Sequence, residues 1–192
     1  MSGIVPGRWI ARPPDPATLA ARRGTLTIEV VSHCWQYAHL LGYQLSSLVN
    51  FPPTRARVRM TVFHALEDAR VSDLLAYFGS IQVPGVTWNW QPLPPGELFR
   101  RSIGRHRAAR ATPADWVWFA DCDILFHRDC MDTLADRLQG RQDPLVYPKE
   151  ERVTAMLEET DPLLVAERDR PRVVNIDPGQ FKLLPNPPRA EG

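Results

Sequence analysis

From residue 25 onward, short β-branched apolar runs alternate with longer amphipathic ones, and this alternation restricts the fold more than any other property of the chain. Residues 25–32 (TLTIEVVS) read as a buried strand. Residues 36–50 then place Tyr37, Leu40, Leu41, Leu45, Leu48 and Val49 on one helical face, with Gln44 as its single polar member, before Phe51, Pro52 and Pro53 end the helix. A second unit follows, with a strand at 58–63 and a helix carrying Val71, Leu74, Leu75 and Phe78 at i, i+3, i+4 and i+7 up to Gly79. A third strand fits 86–90, and residues 97–111 have helix-forming composition with arginines at 100, 101, 105, 107 and 110. Residues 116–120 (WVWFA) read as a further buried strand, and a helix bearing Met131, Leu134 and Leu138 closes at Gly140. Strands alternating with helices in this way predict right-handed β-α-β crossovers, hence an α/β fold with a mainly parallel sheet and helices on both faces. Ligands of such sheets bind at the carboxyl ends of the strands.

Beyond Gly140 the pattern weakens. Pro148, Glu150 and Glu151 predict the start of a helix bearing Val153, Met156 and Leu157, and 172–176 fits one more strand. The 19 prolines crowd both ends, so residues 1–24 and 185–192 read as irregular segments around one domain at 25–184. At 192 residues and 44% hydrophobic content the chain has material for one core. Its net charge of +1 argues against a nucleic-acid-coating or disordered acidic protein. Among the 23 basic residues only Lys149 and Lys182 are lysines, a bias toward the side chain that best matches phosphate. Three unevenly spaced cysteines fit reduced thiols and a cytoplasmic setting. No apolar run approaches the ~20 residues that span a bilayer, although peripheral membrane contact is compatible with the sequence.

The chemistry concentrates at Asp121-Cys122-Asp123. Two carboxylates directly after an apolar strand lie at its carboxyl end, where they suit a hard divalent cation such as Mn²⁺ or Mg²⁺ that shares its shell with substrate phosphates. A solvated, helix-capping turn is the plainer reading of the same residues. Upstream, Arg101 and Arg105 share a helical face, and Arg105 is the arginine expected to serve a ligand, the others pairing with nearby acids. Trp88 and Trp90 fit sugar stacking less well than packing, and Cys122, His127 and Cys130 lack a fourth zinc ligand.

The stretch Gly104-Arg105-His106-Arg107-Ala108-Ala109, followed by Asp115 to Asp123, resembles the segment of family-2-type glycosyltransferases of GT-A fold written A-R-N-x-(G/A), then a hydrophobic strand and D-x-D. Arg105 lies sixteen residues ahead of Asp121, as the family spacing implies, while His106 stands where asparagine is usual. The resemblance covers residues 25–140. It implies transfer of a sugar from a nucleotide-diphosphate donor to an acceptor hydroxyl, with Asp121 and Asp123 on Mn²⁺ or Mg²⁺. Ser32, His33, His64, Arg105 and Asp121 would then border the nucleotide sugar, His64 taking the place of an acidic residue at the end of the second strand. The family's acceptor-side region lies beyond D-x-D, where Glu150, Glu151, Asp161, Glu167, Asp169 and Asp177 are the available bases and the sequence ranks none of them. The shortness of that region leaves a non-catalytic or truncated nucleotide-sugar-binding module as the alternative. A haloacid-dehalogenase-like phosphatase is a weaker one, because it needs its Asp-x-Asp after the first strand.

Overall fold

The computed structural model describes residues 19–148, 150–158, 160–165 and 170–184. Most of the proline-rich N-terminal segment, the whole 185–192 tail, Lys149, Glu167 and Asp169 lie outside the described residues. Strands β1 (Thr27–Cys34), β2 (Arg57–His64), β3 (Val86–Pro92) and β4 (Trp116–Phe119) form one all-parallel sheet in the order β3-β2-β1-β4. Helices α1 (Ala38–Asn50) and α2 (Ala69–Gly79) connect the first three strands, α3 (Pro95–Leu98) and α4 (Arg101–Ala111) lead into β4, and α5 (Cys130–Leu138) follows it.

Alternation along the strands sorts their side chains into two cores. Ile28 and Val30 of β1, with Val58, Met60 and Val62 of β2, are buried in one cluster with Leu41, Leu45 and Leu48 of α1, Leu74, Leu75 and Phe78 of α2, and Met131, Ala135 and Leu138 of α5. Val31 and Phe63 point to the other face, where Leu98 of α3 and Ala108 of α4 cover them. The expected α/β architecture with helices on both faces is therefore the observed one. Among the same face's residues, the buried Glu29 accepts a hydrogen bond from the Thr61 hydroxyl and lies 3.5 Å from Arg59 Nε. A buried carboxylate needs such partners to stay in the sheet.

Four expectations change. The helix read over 97–111 breaks at Phe99 and Arg100, because Pro94 and Pro95 start a separate short turn that ends there. The strand expected to be buried at 116–120 is instead an edge strand among the described residues, with Phe119 41% exposed. The helix expected after Pro148 is not formed among the described residues. Residues 151–153 form β5 (Glu151–Val153), paired antiparallel with β6 (Lys182–Leu184), and a single turn of helix, α6 (Pro162–Val165), lies between them. Residues 172–176 join no ladder. They run along α1, where Val174 donates its N–H to Ser46 Oγ at 3.0 Å and accepts from Asn50 Nδ2 at 2.7 Å. Both misreadings arise where a segment is held by partners distant in sequence, a strand for 151–153 and the side chains of α1 for 172–176.

Trp88 and Trp90 stack on each other with centroids 5.5 Å apart, Trp88 donates to the Ile81 carbonyl at 2.9 Å, and Trp90 lies against Gly79. They pack the edge of the sheet.

Candidate functional site

The strand order reverses at β1. The chain passes from β1 to β2 and β3 on one side, then returns to lay β4 on the other side of β1. The connection from β3 to β4 crosses the other sheet face through α3 and α4, whereas α1 and α5 share one face, and in parallel α/β sheets a reversal of strand order marks the ligand crevice at the carboxyl ends of the strands. The Ala120 N–H closes the ladder on the Val31 carbonyl at 3.1 Å, and Asp121, the next residue, stands at the crevice with its carboxylate 56% exposed. Asp123 is exposed two residues on.

Helix α4 brings positive charge to that carboxylate. Arg101 donates to Asp121 Oδ1 at 2.7 Å, and Arg105 NH2 lies 3.7 Å from the same oxygen with its guanidinium over the Phe119 ring. One helical turn separates the two arginines, which is why they converge. The approach depends on Gly104, since a Cβ there would lie 2.2 Å from His33 Nε2. His33 is stacked on Phe63, and its Nε2 is buried with no hydrogen-bond partner among the described residues. Burial, then the charges of Arg105 and Arg101, push the His33 imidazole down to about 4, with Asp121 partly opposing them. The ring is therefore neutral at neutral pH. Arg107 and Glu97 pair at 2.6 Å, a surface contact away from this cluster.

The turn carrying the carboxylates is held from behind by α1. Gln44 donates from Nε2 to the carbonyls of Asp121 at 2.8 Å and Ile124 at 3.0 Å, and its Oε1 accepts from the Ser32 hydroxyl at 2.9 Å. Ser47 Oγ accepts from the Phe126 N–H at 3.1 Å. Ser32 is fully buried, with its hydroxyl also 3.1 Å from the Ala120 carbonyl, so it positions the turn and does not face the crevice as expected of a ligand contact. His64 is likewise 5% exposed, and burial lowers its basicity despite the opposing effects of the Ala65 backbone and Asp68. Interior placement removes its imidazole from direct ligand contact. Asp68, among the nearest acids after His64, caps α2 through the Val71 N–H and accepts the Gln36 N–H at 2.6 Å, holding the β1–α1 loop where Gln36 takes a positive φ of 62°.

Beside this cluster lies a cavity of about 820 Å³ bordered by Asp121 and Asp123, with Trp118 and Tyr147 in its wall. Glu150 and Glu151 line it too, which separates the candidate bases. Asp161 and Asp177 instead accept the N–H groups of Leu163 and Gly179, as turn caps. Arg101 and Gln44 are the residues whose importance the sequence understates. Their signals were the i, i+4 spacing from Arg105 and the lone amide on an otherwise apolar helix face.

Among the described residues no group of three or more His, Cys, Asp and Glu side chains is assembled to hold a metal ion. Asp121 and Asp123 offer hard carboxylate oxygens of the type that Mn²⁺ and Mg²⁺ take, in a number that suits an ion whose shell is completed by substrate phosphate and water. The residues present fit such an ion. Cys122, His127 and Cys130 form no zinc site.

No known protein family matches the chain, and no curated protein matches it. Among solved structures, the chain is similar to the crystal structure of S. aureus TarS 1–349, at 13% identity and a TM-score of 0.45. The likeness covers 58% of this chain and 32% of that one. At that depth it assigns no residue and no activity. No helix among the described residues is long and apolar enough to cross a membrane.

Proposed function

We propose that this chain binds a nucleotide-diphosphate sugar in the β1–β4 crevice and transfers its sugar to an acceptor hydroxyl, within a GT-A-like fold of the family-2 kind. The observation that carries the reading is the convergence of Arg101 and Arg105 on Asp121 at the switch point. Two guanidiniums fixed by one helix match a diphosphate, and they would stabilise the charge that develops on the departing nucleoside diphosphate. Asp121 and Asp123 would hold Mn²⁺ or Mg²⁺, which when bound supplies further charge stabilisation on the same phosphates. Neutral His33 borders the crevice without adding a competing positive charge. Glu150 and Glu151, which line the same cavity as the carboxylate pair, are the candidates to take the proton of the acceptor hydroxyl. A haloacid-dehalogenase-like reading is not supported, because the Asp-x-Asp follows β4 and not β1.

The test is titration of the protein with UDP and GDP, with and without Mn²⁺, followed by tryptophan fluorescence or melting temperature. A metal-dependent shift that disappears in Asp121→Ala is the expected result. A shift untouched by that substitution refutes the D-x-D assignment, and no response to either nucleotide refutes the reading as a whole. Binding with neither transfer nor donor hydrolysis identifies the non-catalytic module.

A further inference from the structure

Two of the three cysteines meet inside the carboxylate turn. In the β1–β4 ladder Ile28 stands opposite Trp116 and Val31 opposite Phe119. The Ala120 N–H on the Val31 carbonyl and the Ser32 hydroxyl 3.1 Å from the Ala120 carbonyl bring the two chain ends together, with Cys34 closing β1 and Cys122 in the turn that follows β4. Both pack in the same cluster as Val30 and Trp118. The two thiols are hydrogen-bonded to each other, and both are free. Cys34 is buried, whereas Cys122 is partly exposed, so Cys122 is the member of the pair nearer to solvent.

We propose that Cys34 and Cys122 form an oxidisable dithiol, which closes into a disulfide in the presence of a peroxide and clamps the Asp121–Asp123 turn to the end of β1. With hydrogen peroxide, the Cys122 sulfur attacks one peroxide oxygen and the O–O bond breaks. Cys122 becomes a sulfenic acid, and the released hydroxide takes the thiol proton to leave as water. The Cys34 sulfur then attacks the Cys122 sulfur, the S–O bond breaks, and a second water departs with the Cys34 proton. Two electrons pass from the thiol pair to the peroxide. In a reducing compartment such a bond is transient and reversible by thiols. Cys122 separates the two carboxylates, so the clamp acts on both. The proposal stands independently of the nucleotide-sugar reading.

The experiment treats the full chain with hydrogen peroxide, denatures it, alkylates the remaining thiols and maps the peptides without reduction. Reactive thiols are expected to fall from three to one, at Cys130, with a Cys34–Cys122 peptide pair that disappears on dithiothreitol treatment. Cys130→Ser should keep the link. Cys122→Ser, at a partly exposed position that a hydroxyl fits, should abolish it and leave Cys34 alkylated. Alkylation of both Cys34 and Cys122 after oxidation of the native protein overturns the proposal, as does a linked pair containing Cys130.

Discussion

Gln44 Nε2 donates to the main-chain carbonyl of Asp121 at 2.8 Å, so a helix from the first third of the chain fixes the turn that follows the fourth strand. The same amide also holds the Ile124 carbonyl and accepts from Ser32. Gln44→Leu keeps the volume and removes this support from two carbonyls and a buried hydroxyl. Orphaned buried polar groups cost about 1–3 kcal/mol each before relaxation. Urea unfolding should therefore show a loss of about 2 kcal/mol, and calorimetry a weaker affinity for nucleoside diphosphate. Wild-type stability in this variant would mean that the turn holds itself.

Arg101 makes the shorter contact with Asp121, and Arg105 the longer. Charge-assisted hydrogen bonds contribute about 1.5–3 kcal/mol each, so Arg101→Ala and Arg105→Ala should each weaken UDP or GDP binding roughly tenfold or more. The nucleoside alone should bind the variants and the wild type alike. Arg110→Ala, at the far end of α4, serves as the control in the same calorimetric titration. Equal losses from all three substitutions would point to a diffuse charge effect.

Gly104→Ala tests how closely α4 must approach the sheet. The added methyl would meet His33 Nε2 at 2.2 Å and Phe63 at 3.0 Å, and the His33–Phe63 stack leaves the imidazole little room to yield. Overpacking costs of about 1–3 kcal/mol outweigh the roughly 1 kcal/mol of helix propensity that alanine gains over glycine. Thermal unfolding should show net destabilisation, accompanied by weaker diphosphate binding as α4 carries its arginines outward.

His33 makes stability fall on acidification. Its imidazole titrates near 6.5 when unfolded and about 4 when folded, so between those values the unfolded chain takes up a proton that the folded chain refuses. Above the unfolded value neither state is protonated, and the contribution is flat. With solvent screening of a partly exposed ring, the loss between pH 7 and pH 4 is about 1–2 kcal/mol. Denaturant midpoints measured across that range for wild type and His33→Gln should diverge at low pH, the variant having the shallower slope. Parallel slopes would remove His33 as the cause.

Asp132 anchors α5 to the loop ahead of β2. Its buried carboxylate accepts the N–H groups of Thr54, Arg55 and Ala56 and the Thr54 hydroxyl. Burial alone would raise its pKa, yet these donors outweigh it and hold the group below the usual carboxylate range. Asp132→Asn places an NH2 among donors and should cost about 2–3 kcal/mol in urea unfolding. The stability this carboxylate contributes is present above its unfolded pKa and disappears as pH falls through the lower folded value.

The core of the fold was legible because it obeys simple periods. Val71, Leu74, Leu75 and Phe78 are buried at the spacing that marked them as a helix face, and the apolar runs read as the first two strands are buried along most of β1 and β2. The carboxyl-end location of Asp121 follows from the same patterning. The role of Ser32 was not legible, since a hydroxyl at a strand end looks the same whether it meets a ligand or Gln44. Residues 151–153 misled for a related reason. Their partner strand, Lys182–Leu184, lies far along the chain, and a local period cannot register such a partner.

The β1–β4 ladder joins residues such as Val31 and Phe119, 88 positions apart (119 − 31). Closing a loop of that length precedes any reward from pairing, so contact order makes this ladder a slow step of folding. The β1–β2 and β2–β3 pairings need far shorter closures. The crevice is therefore completed late, after the three strands on the other side have found one another, and slow refolding phases should report on the recovery of ligand binding more than on the recovery of helix content.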